Sequence, residues 1–144
     1  MQKAQTDMFA TATLPLNRQL GAYRQVGVTT AVDGASPHRL VAMLFEGLLD
    51  ALAQSRGALR AHNIEAKCNA ISRAVRIIDE GLRAGLNLTE GGKLASDLND
   101  LYAYVTLRLT QANRNNDEAA IEECVRLIEP IARAWSEMAS QVNA

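Results

Sequence analysis

One stretch of this chain carries an apolar pattern that few folds can accommodate. Between residues 64 and 82 the apolar side chains stand four, three, four, three and four positions apart, at Ile64, Cys68, Ile71, Val75, Ile78 and Leu82. Alternating steps of three and four place these side chains along one stripe of an α-helix, because the helix makes a turn in about 3.6 residues. Such a stripe is typical of a helix that packs in an antiparallel bundle. We therefore predict that this stretch is one helix of a bundle.

Another helix is predicted just before this stretch, from Ser36 to about His62. The Ser36 side chain can accept a hydrogen bond from the free N–H groups of the first turn, and Pro37 fits the first helical position. Asn63 can cap the next helix in the same way. The apolar residues of the earlier helix cover an arc of about 180°, which is wider than contact with one core requires. They are Leu40, Val41, Leu44, Phe45, Leu48, Leu49 and Leu52.

Two more helices follow a glycine-rich break at residues 85–92. The third helix is predicted from Gly92 to Arg114. The fourth begins after the capping residue Asp117 and contains Pro130, which removes a backbone hydrogen bond and is expected to kink the helix. Four helices joined by short connections favour an antiparallel up-down four-helix bundle.

The composition agrees with this all-α fold. Of 144 residues, 48% are apolar, but only three are proline and six are aromatic. A chain of this length is expected to form one domain with a core of its own. We assign residues 22–142 to this helical-bundle domain and residues 1–21 to a flexible N-terminal tail. Residues 21–35 have an irregular pattern, and we expect this segment to dock on the bundle.

The charge and cysteine content exclude several classes of partner and site. Fifteen basic and sixteen acidic residues leave a net charge of −1, so no basic surface for nucleic acid or anionic lipid is expected. No run of about eighteen apolar residues occurs, and therefore no membrane insertion is expected. Cys68 and Cys124 lack the spacing of a metal or redox motif, and we expect both to be reduced thiols in the core of a cytoplasmic protein.

Residues that could perform catalysis are scarce. His38 lies in the first turn of a helix and His62 at a helix end, and the Glu-x-x-His pairs of a di-metal bundle are absent from the sequence. We therefore expect no metal, no cofactor and no enzymatic activity. A histidine-phosphotransfer domain is also a four-helix bundle and is retained as an alternative. Neither histidine, however, has the mid-helix position or the following lysine and glycine of such a site.

The predicted helices carry more apolar surface than one core needs. The surplus residues are Phe45 and Leu49 on the first helix, Ile77 on an outward line of the second, and Tyr104 with Leu107 on the third. We interpret these five residues as a groove that binds an amphipathic helix of a partner. A homodimer that buries the same faces, as a purely structural bundle, is the alternative. Tyr102 and Trp135 are expected in the core.

At this point the chain also resembles a known family, the flagellin-specific export chaperones or FliS family, over about residues 22–138. The resemblance rests on an ordered set of motifs: Tyr23-x-x-Val26-x-Val28-x-Thr30-Ala31, then Ala35-Ser36-Pro37-x-x-Leu40-Val41-x-Met43-Leu44-Phe45-Glu46-Gly47, Gly91-Gly92, Leu98-x-x-Leu101-Tyr102-x-Tyr104, Arg108-Leu109-x-x-Ala112-Asn113 and Trp135.

The chain also departs from the family pattern. In the family, serine-proline usually follows threonine-alanine directly, whereas residues 32–35 separate the two pairs in this chain. Phe45 stands where tyrosine is commoner, Leu107 stands where a basic residue is frequent, and Pro130 is unusual in the last helix. These departures concern the details of docking.

The resemblance implies a cytoplasmic chaperone whose partner is the disordered C-terminal segment of flagellin. Such a chaperone prevents premature polymerisation and aids delivery to the flagellar type III export apparatus, whose components are further partners. We expect the groove described above to hold flagellin, and Tyr23, Val26 and Val28 to form an N-terminal lid over the empty groove. Without a partner, the apolar faces could support a homodimer.

Overall fold

A computed structural model describes residues 34–142, with side chains as far as Met138. This part of the chain folds into four helices and contains no strand. Helix α1 spans Pro37–Arg60, and α2 spans Ile64–Arg76 and continues directly as a π-helix over Ile77–Arg83. Helix α3 spans Gly92–Asn115 and α4 spans Glu118–Val142. The all-α prediction is confirmed, whereas the tail at residues 1–21 and the docking of residues 21–35 fall outside, or almost outside, the described residues.

The predicted helix caps explain where three of the helices begin. The Ser36 hydroxyl accepts a hydrogen bond from the N–H of Arg39 at 3.1 Å, and the Asn63 side chain accepts one from the N–H of Ala66 at 3.1 Å. The Asp117 carboxylate accepts one from the N–H of Ala120 at 3.3 Å. Each cap satisfies a backbone donor that the helix itself leaves free, so local sequence is enough to set these boundaries.

Contacts between helix ends show that the bundle is antiparallel. His38 at the start of α1 is bonded to Trp135 late in α4, and Arg56 late in α1 is bonded to Glu118 at the start of α4. Helix α1 packs against α2 and α4, and α3 packs against α4 and against α2 with its π-helical extension. The up-down four-helix bundle is therefore confirmed.

The core lies along the bundle axis and consists mainly of leucine and isoleucine. Its largest fully buried side chains are Leu40, Leu44, Leu48, Leu52, Ile71, Ile77, Ile78, Leu109, Ile121 and Ile128. Tyr102 and Trp135 are 3% and 5% exposed, which confirms their assignment to the core. Burial raises the pKa of the Tyr102 hydroxyl, and it raises the pKa of the Cys124 thiol to about 11.

The buried face of α2 differs from the predicted stripe. Ile64 is 48% exposed, while Cys68 and Val75 are only partly buried. Ile71, Ile78 and Leu82 of the predicted stripe are buried, and the side chains buried in addition are Lys67, Ala70, Ala74, Ile77 and Gly81. Helix α2 contacts α1 on one side and α3 on the other, so its small-residue line is needed inside the bundle. The wider π-helical turns after Arg76 also change the angle at which side chains point.

Helix α4 continues through Pro130 from Glu118 to Val142. The Pro130 ring is exposed to solvent, next to the buried Ile128 on the core side. A proline in this position avoids disturbing the core, although it still removes one backbone hydrogen bond. The bend expected at Pro130 stays a prediction.

Candidate partner-binding surfaces

A shallow groove of about 190 Å³ runs between α1 and α4 on the outside of the bundle. Two of the predicted contact residues, Phe45 and Leu49, lie together in it. From α1 the groove is lined by His38, Arg39, Ala42, Phe45, Glu46 and Leu49, and from α4 by Ala132 and Ser136. Leu49 is only partly buried, but Phe45 is 3% exposed and belongs to the core, so the predicted placement of Phe45 outside the core is wrong.

The groove arises from small side chains between larger ones. His38, Ala42, Phe45 and Leu49 are spaced four, three and four residues apart, so they form one stripe on α1 beside the core-facing stripe. Phe45 is 3% exposed and provides a floor, while Leu49 is partly buried. Ala42 and the facing Ala132 reach too little into the space between the helices to fill it. The floor is apolar because of Phe45, and the walls are low because of the alanines.

One end of the groove is closed by a reciprocal contact between His38 and Trp135. The Trp135 Nε1–H donates to the His38 carbonyl oxygen at 2.9 Å, and His38 Nε2 lies 2.8 Å from the Trp135 carbonyl oxygen. Because a carbonyl only accepts, Nε2 must carry a hydrogen. The two rings stack with centroids 4.7 Å apart and planes 8° from parallel. This contact sets the separation of α1 and α4 at the groove end.

An ion pair lies along the α1 rim of the groove. Arg39 Nη1 is 3.0 Å from Glu46 Oε1, two helical turns away on the same face. The two side chains are 56% and 61% exposed. An exposed pair of this kind contributes little to stability, so both charges remain available to a partner.

A second surface lies where α3 meets α4. Tyr104 is 42% exposed and Leu107 is 54% exposed, as predicted for an outward position. The Tyr104 hydroxyl donates to the Glu123 carboxylate of α4, which also accepts from Arg108 Nε at 2.8 Å. These bonds lower the pKa of Glu123, with the Tyr104 hydrogen bond as the larger cause, and the same bond raises the pKa of Tyr104. The polar end of Tyr104 is thus held by α4.

The placement of Ile77 on the outside of the bundle is wrong. Ile77 is fully buried, and its Cδ1 lies 3.5 Å from the position that a Cβ on Gly47 would occupy. It therefore packs between the π-helix and α1. The reason is that α2 buries its small-residue line against α1, where Gly47 leaves room for a branched side chain.

The five predicted contact residues thus fall into three places. Leu49 lies in the α1/α4 groove above Phe45, which is itself buried in the core, Tyr104 and Leu107 share the α3/α4 surface, and Ile77 is fully buried in the core. Sequence reasoning missed six other lining residues, which include His38, Ala42, Ala132 and Ser136. The spacing of four, three and four residues along α1 could have indicated His38 and Ala42, because it places them on one stripe with Phe45 and Leu49. Nothing in the sequence, however, pairs this stripe with α4. The predicted lid, Tyr23, Val26 and Val28, lies outside the described residues.

Other kinds of site are not evident over residues 34–142. No helix in this range is both long and apolar enough to cross a membrane. The same range holds no group of three or more histidine, cysteine, aspartate or glutamate side chains arranged to bind a metal ion. The surfaces between helices are therefore the features to compare with known proteins.

The model of one protein family, described as flagellar protein FliS, matches residues 19–142. The chain belongs to the FliS family. The match covers all four helices and both surfaces, so the groove and the Tyr104–Leu107 surface are parts of a FliS domain.

Individual relatives agree with the family assignment. The chain is 46% identical to the flagellar secretion chaperone FliS of Salmonella typhimurium over 85% of this chain and 90% of the relative. It is 42% identical to the flagellar secretion chaperone FliS of Escherichia coli, over 81% of this chain and 85% of the relative. It is 40% identical to the flagellar secretion chaperone FliSB of Pseudomonas aeruginosa, over 78% and 89%. The resemblance found in the sequence motifs is confirmed.

Proposed function

We propose that this FliS-family chain is a cytoplasmic export chaperone that binds the disordered C-terminal segment of flagellin. By binding, it prevents premature polymerisation and aids delivery of flagellin to the flagellar type III export apparatus. The family assignment and the relatives named flagellar secretion chaperones support the role in flagellar export. The chain acts by binding alone, without catalysis.

The observation that carries the proposal is the α1/α4 groove. Its lining extends from His38 to Leu49, which corresponds to about 16 Å of helix and therefore to about three turns of a docked partner helix. An amphipathic helix can place its apolar face on Leu49 and between the low walls formed by Ala42 and Ala132, above the buried Phe45. The apolar lining between α1 and α4 supports the proposal that a helix docks here.

The Tyr104–Leu107 surface extends the binding area around the bundle. Helix α4 contacts both α1 and α3, so a segment that uses both surfaces must pass over α4. A disordered segment can wrap in this way, because it has no folded core of its own to maintain. Wrapping would cover Leu107, which is 54% exposed, together with the groove. The ordering of the segment offsets part of the gain from these contacts.

The N-terminal lid remains part of the proposal. Residue Ser36 caps α1, and His38 two residues later lines one end of the groove. An extended chain spans about 3.3–3.6 Å per residue, so Tyr23, Val26 and Val28 are close enough in sequence to reach the whole groove. In the absence of flagellin, we propose that these side chains cover Phe45 and Leu49.

Isothermal titration calorimetry with the last forty or so residues of the cognate flagellin tests this function. We expect a 1:1 complex with a negative heat-capacity change, because apolar surface is buried on binding. Absence of heat, together with absence of co-elution on size exclusion, would refute the proposal. Self-association of the free chain that flagellin fails to disrupt would instead favour the homodimeric structural bundle.

Matched variants then locate the contact surface. Leu49→Ala, which avoids placing a charge against the core, and Leu107→Asp should each weaken binding about tenfold or more while far-UV circular dichroism stays unchanged. Leu88→Asp is the control, because Leu88 is 58% exposed in the connection between the π-helix and α3, away from both surfaces. Equal weakening by all three variants would mean that the surfaces are misplaced.

A further inference from the structure

Glu123 of α4 holds two side chains of α3 at once. Its Oε2 atom accepts a hydrogen bond from the Tyr104 hydroxyl, and its Oε1 atom accepts one from Arg108 Nε at 2.8 Å. Arg108 Nη1 also donates to Gln111 Oε1 at 2.8 Å, so the guanidinium is held from two directions. The side chains of Arg108 and Glu123 are only 27% and 30% exposed. Both carboxylate oxygens of Glu123 are therefore bonded to residues one helical turn apart on α3.

The geometry of α3 shows which way Tyr104 leans. Around the helix axis, Arg108 lies about 40° from Tyr104 on one side, and Leu107 lies about 60° from it on the other side. Because Arg108 is bonded to Glu123, the side of Arg108 is the side that faces α4. The hydroxyl of Tyr104 is thus held towards α4 and away from Leu107.

This arrangement opposes a contact that the helix itself favours. Tyrosine and leucine three residues apart on a helix surface tend to pack on each other. In this chain Leu107 is nevertheless 54% exposed, although Tyr104 is its neighbour at that spacing. The hydrogen bond to Glu123 accounts for the exposure, because it ties the far end of the tyrosine ring to the next helix.

We propose that Glu123 is a positioning residue for partner binding, because it keeps the Tyr104 ring off Leu107 and leaves both side chains open to flagellin. Without this bond the ring folds over Leu107, and a partner has to displace it. A side chain that is already ordered costs less conformational entropy when the partner binds. This inference rests on the proposed function, in which the Tyr104–Leu107 surface contacts flagellin. It adds the residue that prepares this surface.

The test measures the affinity for the last forty or so residues of the cognate flagellin by titration calorimetry. Tyr104→Phe removes the hydroxyl and keeps the ring, so the aromatic surface offered to a partner is retained. We expect its Kd to rise about two- to tenfold, the range for losing the order of one side chain. Tyr102→Phe is the matched control, because it removes a hydroxyl from the same helix at a position only 3% exposed. It should leave the Kd unchanged.

Two double variants show whether Glu123 acts through Tyr104 and whether the effect depends on Leu107. Glu123→Ala should weaken binding as Tyr104→Phe does, and combining the two substitutions should weaken it little further. In a Leu107→Ala background, Tyr104→Phe should lose most of its effect, because no leucine side chain is left for the ring to cover. A substitution that acted only by loosening the bundle would weaken binding equally in both backgrounds.

Nuclear magnetic resonance of the unbound chain supplies a readout that does not depend on flagellin. Nuclear Overhauser effects between the ring at position 104 and the Leu107 methyl groups should be weak in the wild-type chain. They should be stronger in Tyr104→Phe and in Glu123→Ala, because the ring then packs on Leu107. Far-UV circular dichroism should be the same for all three proteins.

Any of three results would overturn the inference. The first is a flagellin affinity that Tyr104→Phe leaves unchanged, or lowers equally with and without Leu107. The second is additive losses of affinity from Tyr104→Phe and Glu123→Ala. The third is no gain in contact between the ring and Leu107 in these variants. Failure of the proposed function looks different, since the wild-type chain would then not bind flagellin while the ring contact still increased in the variants.

Discussion

Replacing Gly81 by alanine tests how tightly the π-helix packs against α1. A Cβ on Gly81 would lie 2.8 Å from Leu44 Cδ1, 3.0 Å from Cδ2 and 3.5 Å from Cγ. Carbon atoms pack best at about 3.5–4.0 Å, so Leu44 or the backbone must move. Leu44 is 1% exposed and belongs to the core, so it has no free space into which to rotate. We expect Gly81→Ala to strain the contact between the π-helix and α1.

The expected effect follows from two opposing contributions. Adding a methyl group to a packed core costs about 1–3 kcal/mol. Replacing glycine in a helix interior by alanine gains about 1 kcal/mol. The net result for Gly81→Ala is a loss of about 0–2 kcal/mol in the free energy of unfolding. Gly57→Ala in α1 is the matched control, because no atom lies within 4 Å of its added Cβ, and it should gain about 1 kcal/mol.

Urea unfolding followed by circular dichroism measures the free energy of unfolding of Gly81→Ala and Gly57→Ala. An unchanged slope of this free energy against urea concentration shows that the unfolding transition is the same in each variant. The Gly57→Ala variant should be more stable than Gly81→Ala by about 1–3 kcal/mol. In a Leu44→Ala background, Gly81→Ala should no longer destabilise, because the clashing atoms are gone. Equal gains from Gly57→Ala and Gly81→Ala in the wild-type chain would refute the packing argument.

Three further predictions address single contacts. Trp135→Phe should lower the free energy of unfolding, measured in urea, by about 1–3 kcal/mol, because the hydrogen bond to the His38 carbonyl is lost and the ring is smaller. The variant should also weaken flagellin binding if the contact between His38 and Trp135 shapes the groove. Lys67→Met should cost about 1–3 kcal/mol, because the variant loses the hydrogen bonds that the buried ammonium donates to the Asn113 carbonyl at 2.9 Å and to the Asn116 side chain. An unchanged or raised midpoint would show that desolvation of the charge outweighs these bonds. The pKa of Glu123 in the folded state lies below its ordinary value of 4.5, so its hydrogen bonds stabilise the fold above pH 4.5, and this contribution is lost as the pH falls through the folded-state pKa. The difference in unfolding free energy between wild type and Glu123→Gln should therefore shrink below about pH 4. A difference that is constant from pH 7 to pH 3 would contradict this assignment.

The family assignment and the physical description of the surfaces support different parts of the functional conclusion. Membership of the FliS family connects the chain to flagellar export. The groove, with Phe45 as its floor and alanines as its walls, indicates what kind of segment can bind. Experiments on the groove can therefore succeed or fail independently of the family assignment.

Local features of the sequence account for the helices and their order. The side chains of Ser36, Asn63 and Asp117 cap the helices that follow them, as predicted. These interactions join residues three apart, so they depend on local sequence alone. The apolar periodicity and the short connections then favour one antiparallel arrangement of four helices.

The angular position of each helix could not be predicted in the same way. The spacing from Ile64 to Leu82 predicts a helix correctly but only part of its buried face, because Ala70 and Gly81 on the other line are small enough to pack against neighbouring helices. The π-helix at Ile77–Arg83 adds a change of phase that an α-helical period does not contain. Burial of Ile77 follows from these two effects.

By itself, then, the sequence determined the helical class, the capped boundaries, the bundle topology and the family. Only the tertiary structure decided which outward residues share a surface. Leu49 shares a groove with Ala132 and Ser136, more than eighty residues away in the chain, above the buried Phe45. Tyr104 is held by Glu123 of the next helix. The physical reason is that helix formation and capping depend on neighbours along the chain, whereas a groove depends on how two helices are rotated and spaced against each other.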